Sequence, residues 1–336
     1  MQGDGPQTFG FFLVPNFAMM AFASAVEPLR AANLLSGRAL YDWRVITRDG
    51  RPAVSSNRIQ LLPDLSIESA ARFDNVAVCS GLDGHLFEDK AVFAWLRRLG
   101  REGACVGALS DGSYILARAG LLNGYRCTIH WSCMPGFIET FPDIEVTPEL
   151  YQIDRNRFTA SGGTAAMDMM LHMIEMDHGR ELAVAVAEQF LHERIRGDYD
   201  HQRMPLRMRL GLSHPKILDV IKLMEDNLEE PLSCVGLAER SGISTRQMER
   251  LFRKYLGRTP RRYYLELRLE RARRLLTQSS LSVMEVALAC GFVSPSHFAK
   301  CYREQYGQVP KSTRLAPRRR QTNGQDPPTA AIAAAE

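Results

Sequence analysis

Two groups of residues in this 336-residue chain have types and spacing suited to chemistry. The first lies near the C-terminus: Arg246, Glu249, Arg250 and Arg253, then Ser296, His297, Lys300 and Arg303. Each set shares a helical pattern with apolar residues on the opposite side. Met248, Leu251, Phe252 and Tyr255 recur at i, i+3, i+4 and i+7 in one, and Phe298, Cys301 and Tyr302 line the other. The outward side chains suit a duplex. Arg can donate to guanine N7 and O6, Glu can accept from cytosine N4, and Lys and Arg neutralise phosphates. The second group surrounds the tight turn in ACVGALSDG (104–112), with Ser110 and Asp111 at its apex and His130 and Trp131 some 20 residues on. A serine on such a turn attacks a substrate only if a base activates it. Its Oγ, nearby N–H groups and a histidine can equally hold a carboxylate by hydrogen bonds. The G-x-S-x-G spacing of serine hydrolases is absent, so a binding turn is the expectation.

Further candidates extend that second group. Asn16 follows the first apolar run, where open α/β sheets place ligands beyond the carboxyl ends of their strands. Glu27 interrupts an apolar helix and pairs either with a cationic headgroup or with Arg30. Trp131 offers its face to a quaternary ammonium or packs as a core residue. Met167, Met169, Met170, Met173 and Met176 read as core or dimer packing. His172 and His178 lack metal-ligand spacing, and neither a metal nor a cofactor is expected. The seven cysteines are scattered without a C-x-x-C pair, which suits buried thiols in a reducing compartment.

The elements that would position these residues differ between the halves. Residues 238–260 and 287–310 form a repeat in which Ala238, Gly242, Phe252, Gly257 and Pro260 align with Ala287, Gly291, Tyr302, Gly307 and Pro310, with one extra residue in the second copy. Each copy is the length of a helix-turn-helix. Ser244 and Ser294 are good N-caps, Pro295 suits a first turn, and RRYYLELRLERARRLL (261–276) predicts a long joining helix. Charge follows the same division. Residues 201–320 carry 24 Lys/Arg against 11 Asp/Glu, and the remainder 18 against 27. A basic domain on an acidic body suits a nucleic-acid binder.

Residues 9–190 instead alternate strand-like runs (9–15, 41–47, 75–81, 104–112, 158–163) with helical ones (18–37, 91–103, 113–122, 164–179, 180–196). That order predicts a doubly wound, flavodoxin-like α/β sheet with helices on both faces. The expected division is an α/β sensor domain over 1–196, a linker over 197–215, an all-α domain with two helix-turn-helix units over 216–316, and a disordered tail over 317–336. The opening residues lack a basic stretch before a short apolar run, and no run approaches a membrane span. A cytoplasmic protein without a membrane partner is expected.

The pattern from Gly291 to Pro310, within a match over roughly residues 216–314, closely resembles the AraC/XylS family of bacterial transcription regulators. Residues 106–125, TIHW (128–131) and SGGTAAMDMMLHMI (161–174) resemble the ThiJ/PfpI branch of the class I glutamine-amidotransferase superfamily. The combination resembles the GlxA-type regulators, and MMAFASAVEPLRAANLLSGR (19–38) is similar to members sensing carnitine, glycine betaine or arginine. The resemblance implies promoter DNA, a small-molecule effector and RNA polymerase as partners, with a homodimer possible and activation the expected mode. Catalytic relatives carry Cys at the elbow; here Ser110 stands there. The alternative is an amidohydrolase-like enzyme joined to a DNA-binding domain, discriminated by that serine.

Overall fold

The structure is a computed structural model that describes residues 5–315, apart from 82, 198 and 280. The tail expected to be disordered, 317–336, lies outside the described residues. The chain divides into two compact units between Ser213 and His214.

The first unit runs β1 (Gln7–Leu13), α1 (Met19–Ser36), β2 (Tyr41–Thr47), β3 (Ala53–Val54), β4 (Gln60–Leu61), β5 (Leu65–Ser66) and β6 (Asn75–Cys79). It continues with a 3-10 turn (Gly84–Leu86), α2 (Lys90–Arg101), β7 (Cys105–Leu109), α3 (Gly112–Arg118), β8 (Arg126–Cys127), α4 (Met134–Thr140) and β9 (Glu145–Val146). Then follow β10 (Tyr151–Asp154), β11 (Arg157–Ala160), α5 (Ala165–His178), α6 (Arg180–Gln189) and α7 (Leu206–Leu210). Seven strands form one sheet in the order β10-β11-β7-β6-β1-β2-β5, parallel except for the β10–β11 pair. Side chains alternate across it. Phe9, Phe11 and Leu13 enter a core with α1, α5 and α6, whereas Phe12 and Val14 enter a second core with α2, α3 and Phe137 of α4. Two covered faces explain the near-continuous apolar strands.

The structure departs from expectation after Gln189. The predicted helix to residue 196 stops there, with Leu191 at a φ of 54°. The segment turns back because His192 and Arg196 bond the carboxylate of Asp168, which is fully buried in α5. The following stretch is also fastened. The Leu150 N–H donates to Asp200 O, and Gln202 Nε2 donates to Thr128 Oγ1, Ile129 O and Glu149 O. The polarity that suggested a linker from 197 belongs partly to these bonds.

The second unit is helical: α8 (Pro215–Asp226), α9 (Cys234–Arg240), α10 (Thr245–Leu256), α11 (Pro260–Gln278), α12 (Val283–Ala289), α13 (Pro295–Tyr306) and α14 (Pro310–Leu315). The first helix-turn-helix is α9–α10 and the second α12–α13. Leu269, Ala272, Leu275 and Leu276 of α11 pack with Val286, Ala287, Phe298 and Tyr302. The repeat's glycines all take left-handed backbone: Gly242 at 64° and Gly291 at 73° in the turns, Gly257 at 66° and Gly307 at 72° after the second helices. A side chain there would be strained.

Candidate functional site

The helical unit exposes two matching faces. Ser244 Oγ accepts from Gln247 N at 3.1 Å and Ser294 Oγ from His297 N at 3.3 Å, so both second helices begin with the expected caps. Met248, Leu251 and Phe252 are buried beneath α10, and Phe298, Cys301 and Tyr302 beneath α13. Tyr255, expected in that core, is 39% exposed. It sits one residue before the end of α10, and its ring meets His214 at 5.5 Å and the Lys254 ammonium at 5.1 Å.

Arg246, Glu249, Arg250, Arg253, Ser296, His297, Lys300 and Arg303 are all exposed. Among the described residues, no hydrogen bond or ion pair engages the side chains of Arg246, Arg250, Arg253, Lys300 or Arg303. His297 Nε2 contacts Cys301 Sγ at 3.3 Å. The joining helix uses its arginines differently. Arg262 bonds Glu266 at 2.9 Å and Gln305 at 2.6 Å. Arg268 donates to Cys290 O at 2.8 Å and Gly291 O at 2.7 Å, and lies 4.1 Å over the Phe292 ring. Tyr264 bonds Asn227 O and receives Leu232 N. A Cβ on Gly291 would sit 2.6 Å from Pro231 and 2.8 Å from Glu229 O, so the second unit's turn closes against the loop that precedes α9. These contacts fix the two helix-turn-helix units to one another.

In the α/β unit, β1, β6, β7 and β11 are adjacent parallel strands, so their carboxyl ends lie along one edge of the sheet. Ser110 holds a left-handed φ of 57°, which turns the chain from β7 into α3. The turn is held from both sides, with Ser110 N donating to Ala160 O at 2.9 Å and Ser80 N to Leu109 O at 3.4 Å. A Cβ on Gly162 would meet Ser110 Cβ at 3.0 Å, and one on Gly84 would meet Asp111 O at 2.5 Å. A Cβ on Gly81 would collide with Asn16 O at 2.1 Å, and Asn16 itself has a φ of 65°. The turns that carry Asn16, Ser110 and Asp111 therefore pack together at this end of the sheet, with Asn16 exposed and Ser110 and Asp111 buried.

Asp111 is fully buried and accepts from Cys133 Sγ at 3.0 Å. His130 Nδ1 lies 2.8 Å from Ser132 Oγ, and Ser113 Oγ donates to Thr128 O at 2.7 Å. The His130–Cys133 turn is thus tied to the elbow through Asp111 and α3. The Arg203 guanidinium lies 4.9 Å over the Trp131 ring, so one cation of this chain already meets that indole. Of its two expected partners, Glu27 meets Arg30, at 2.6 Å on a half-exposed turn of α1.

Sequence reasoning missed Cys133, Gly81, Gly84 and the Asp168–Arg196–His192 cluster. Gly162 lay in a visible Ser-Gly-Gly run, but nothing local linked Cys133 to Asp111, 22 residues away. Burial pushes the Cys79 thiol up and the Cys127 thiol up to about 12, the latter helped by Glu145, so neither is a thiolate at neutral pH. Burial, then Cys133 and Asp111, pushes up the Tyr114 phenol beneath the elbow.

A helical unit with paired recognition helices, joined to a parallel sheet with a strained elbow, defines a DNA-binding transcription regulator built on a DJ-1/PfpI-type domain. Residues 12–176 match the DJ-1/PfpI family and residues 237–316 the Helix-turn-helix domain family. The chain is 50% identical over 313 residues to the HTH-type transcriptional regulator GbdR of Pseudomonas aeruginosa (strain UCBPP-PA14), covering 93% of this chain and 85% of that one. It is 45% identical over 308 residues to the HTH-type transcriptional regulator CdhR of Pseudomonas aeruginosa (strain PAO1), covering 92% and 91%. A crystal structure of an AraC family transcriptional regulator from Pseudomonas putida superposes with a TM-score of 0.51 at 29% identity, over 55% of this chain and 100% of that one. The chain belongs to the AraC-type HTH transcriptional regulators that carry a DJ-1/PfpI domain. Among the described residues, no helix is long and apolar enough to cross a membrane.

Proposed function

We propose that the protein is a cytoplasmic activator controlled by a small nitrogenous metabolite of the carnitine, glycine betaine or arginine kind. The exposed faces of α10 and α13 enter two successive major grooves, roughly 34 Å apart. Arg246, Glu249, Arg250, Arg253, Ser296, His297, Lys300 and Arg303 contact bases and phosphates, and RNA polymerase is the downstream partner. The observation that carries this reading is the repeated capped helix with free cations on its outer face, held to its twin by α11.

The effector binds the crevice rimmed by Asn16, Ser110, Asp111, His130 and Trp131 and is not turned over. A serine replaces the cysteine of catalytic relatives, and His130 Nδ1 is engaged with Ser132 Oγ. The test incubates the full chain separately with carnitine, glycine betaine and arginine and follows both melting temperature and ligand recovery. A specific ligand raises stability by mass action and is recovered intact. Multiple turnovers that depend on Ser110 would establish the enzyme instead. A melting temperature unmoved by every compound would reject this effector class.

A further inference from the structure

The two helix-turn-helix copies differ by one residue, and the structure identifies it. In the first copy, Ile243 N donates to Ala238 O at 3.0 Å just after the turn glycine, and Ser244 caps α10. In the second, Phe292 N donates to Ala287 O at 2.9 Å just after Gly291. Phe292 therefore occupies the place of Ile243. Val293 is the inserted residue, standing between Phe292 and the cap Ser294.

An apolar residue before an N-cap ordinarily packs on the fourth helical residue, here Phe298. Val293 does not. Phe292, 2% exposed, already holds that site, with its ring 5.0 Å from Phe298 and the Arg268 guanidinium on it. Val293 is left 97% exposed, the highest value among the large apolar side chains described. Folding gains nothing from a valine there, and a neighbouring copy of the motif manages without the residue.

Its position suggests its partner. The N-terminal end of a recognition helix meets base edges, and Ser296 and His297 are exposed in the same first turn. In the major groove, the apolar feature of a base edge is the thymine 5-methyl group. We propose that Val293 reads a thymine methyl in the half-site under α13, adding a discrimination that the first unit does not make. This rests on α13 being a groove-entering helix.

The test uses the full chain and a duplex that it selects from a randomised pool. Each thymine under α13 is replaced in turn by deoxyuridine, which removes only the methyl. One replacement should weaken wild-type binding about fourfold, the effect of one buried methyl group. Val293→Ala should bind the thymine duplex about fourfold more weakly and be indifferent to that replacement, with an unchanged melting temperature. The proposal is overturned if no replacement matters to the wild type, or if Val293→Ala keeps the full penalty. It is also overturned if Val293→Ala lowers transcription without altering DNA affinity, because the side chain then meets another protein. Lys300→Ala and Arg303→Ala run alongside: if neither weakens binding, the reading of α13 itself fails, whereas their loss with an inert Val293 sinks this inference alone.

Discussion

The two units of the chain keep their functional polar groups in opposite states. In the helical unit, the cations proposed to meet DNA are exposed and make no described bonds, while Arg262 and Arg268 of α11 are spent on Glu266, Gln305 and backbone carbonyls. In the α/β unit, three of the proposed effector residues are bonded within the fold: Asp111 to Cys133, His130 to Ser132, Trp131 beneath Arg203. The difference follows from the ligands. A duplex is large and charged, and is met by a surface whose cations remain available. A small metabolite needs a preformed concave site, and such sites are held by the surrounding fold.

The comparison breaks most sharply at Asp168, whose buried carboxylate receives Arg196 N at 2.8 Å, Arg196 Nη2 at 2.6 Å and His192 Nε2 at 2.8 Å. Asp168→Ala should destabilise the α/β unit by roughly 2–4 kcal/mol, at or below the usual cost of breaking a buried pair because Arg196 keeps some access to water. Denaturant unfolding followed by tryptophan fluorescence, with Trp43, Trp95 and Trp131 all in the α/β unit, should shift, while DNA affinity under native conditions stays unchanged. A loss of DNA affinity at a temperature where the variant is still folded would mean that the units are not separable in this way.

Next in size is the DNA face. Arg250→Ala should cost about 1–3 kcal/mol in affinity for a selected duplex and relax the preference at one base position. Lys300→Ala should weaken all sequences alike and reduce the salt slope by about one. Affinity titrations across salt concentrations would measure both, and two unchanged variants would show that the faces of α10 and α13 are misassigned.

This face was legible in the sequence because a helix displays its exposed residues at a fixed period. Ser244, Ser294, Met248 and Phe298 stand where the pattern put them. Tyr255 does not: periodicity continues to the last turn of a helix, but how fully that turn is covered depends on the neighbouring segment, here His214. In the α/β unit, the order of strands and helices was readable, and β2 over residues 41–47 has the expected bounds. The surroundings of Ser110 were readable only as a turn. That Cys133 touches Asp111, or that Arg196 returns to Asp168, depends on pairings across the fold that leave no local period.

A smaller effect tests the crevice itself. Ser110→Ala should weaken effector binding by roughly 0.5–1.5 kcal/mol, the net worth of one hydrogen bond. His130→Ala should do the same, and the double variant should lose less than the sum if both residues meet one ligand. Calorimetric titration with the metabolite that raises the melting temperature supplies the cycle. Strict additivity would place the two side chains in separate environments and undo the single-crevice reading. Alanine at position 110 also inherits the left-handed φ of 57°, so the thermal stability of the variant must be read beside its affinity.

The smallest effect is expected at Glu27, and it decides how far the crevice extends. Its carboxylate bonds Arg30 through both Nε at 2.8 Å and Nη2 at 2.6 Å, with side chains 42% and 46% exposed respectively. Exposed pairs at this helical spacing contribute only about 0.2–0.5 kcal/mol. If that pair is all Glu27 does, Glu27→Gln should lower stability by no more than this and leave effector affinity within about twofold. A cationic headgroup held by the carboxylate would behave otherwise, since a charge-assisted bond contributes about 1.5–3 kcal/mol and its loss would exceed tenfold. The two outcomes are far enough apart for one titration to separate them. A large loss would also mean that the Arg30 contact gives way when the effector binds, which would make α1 part of the effector site.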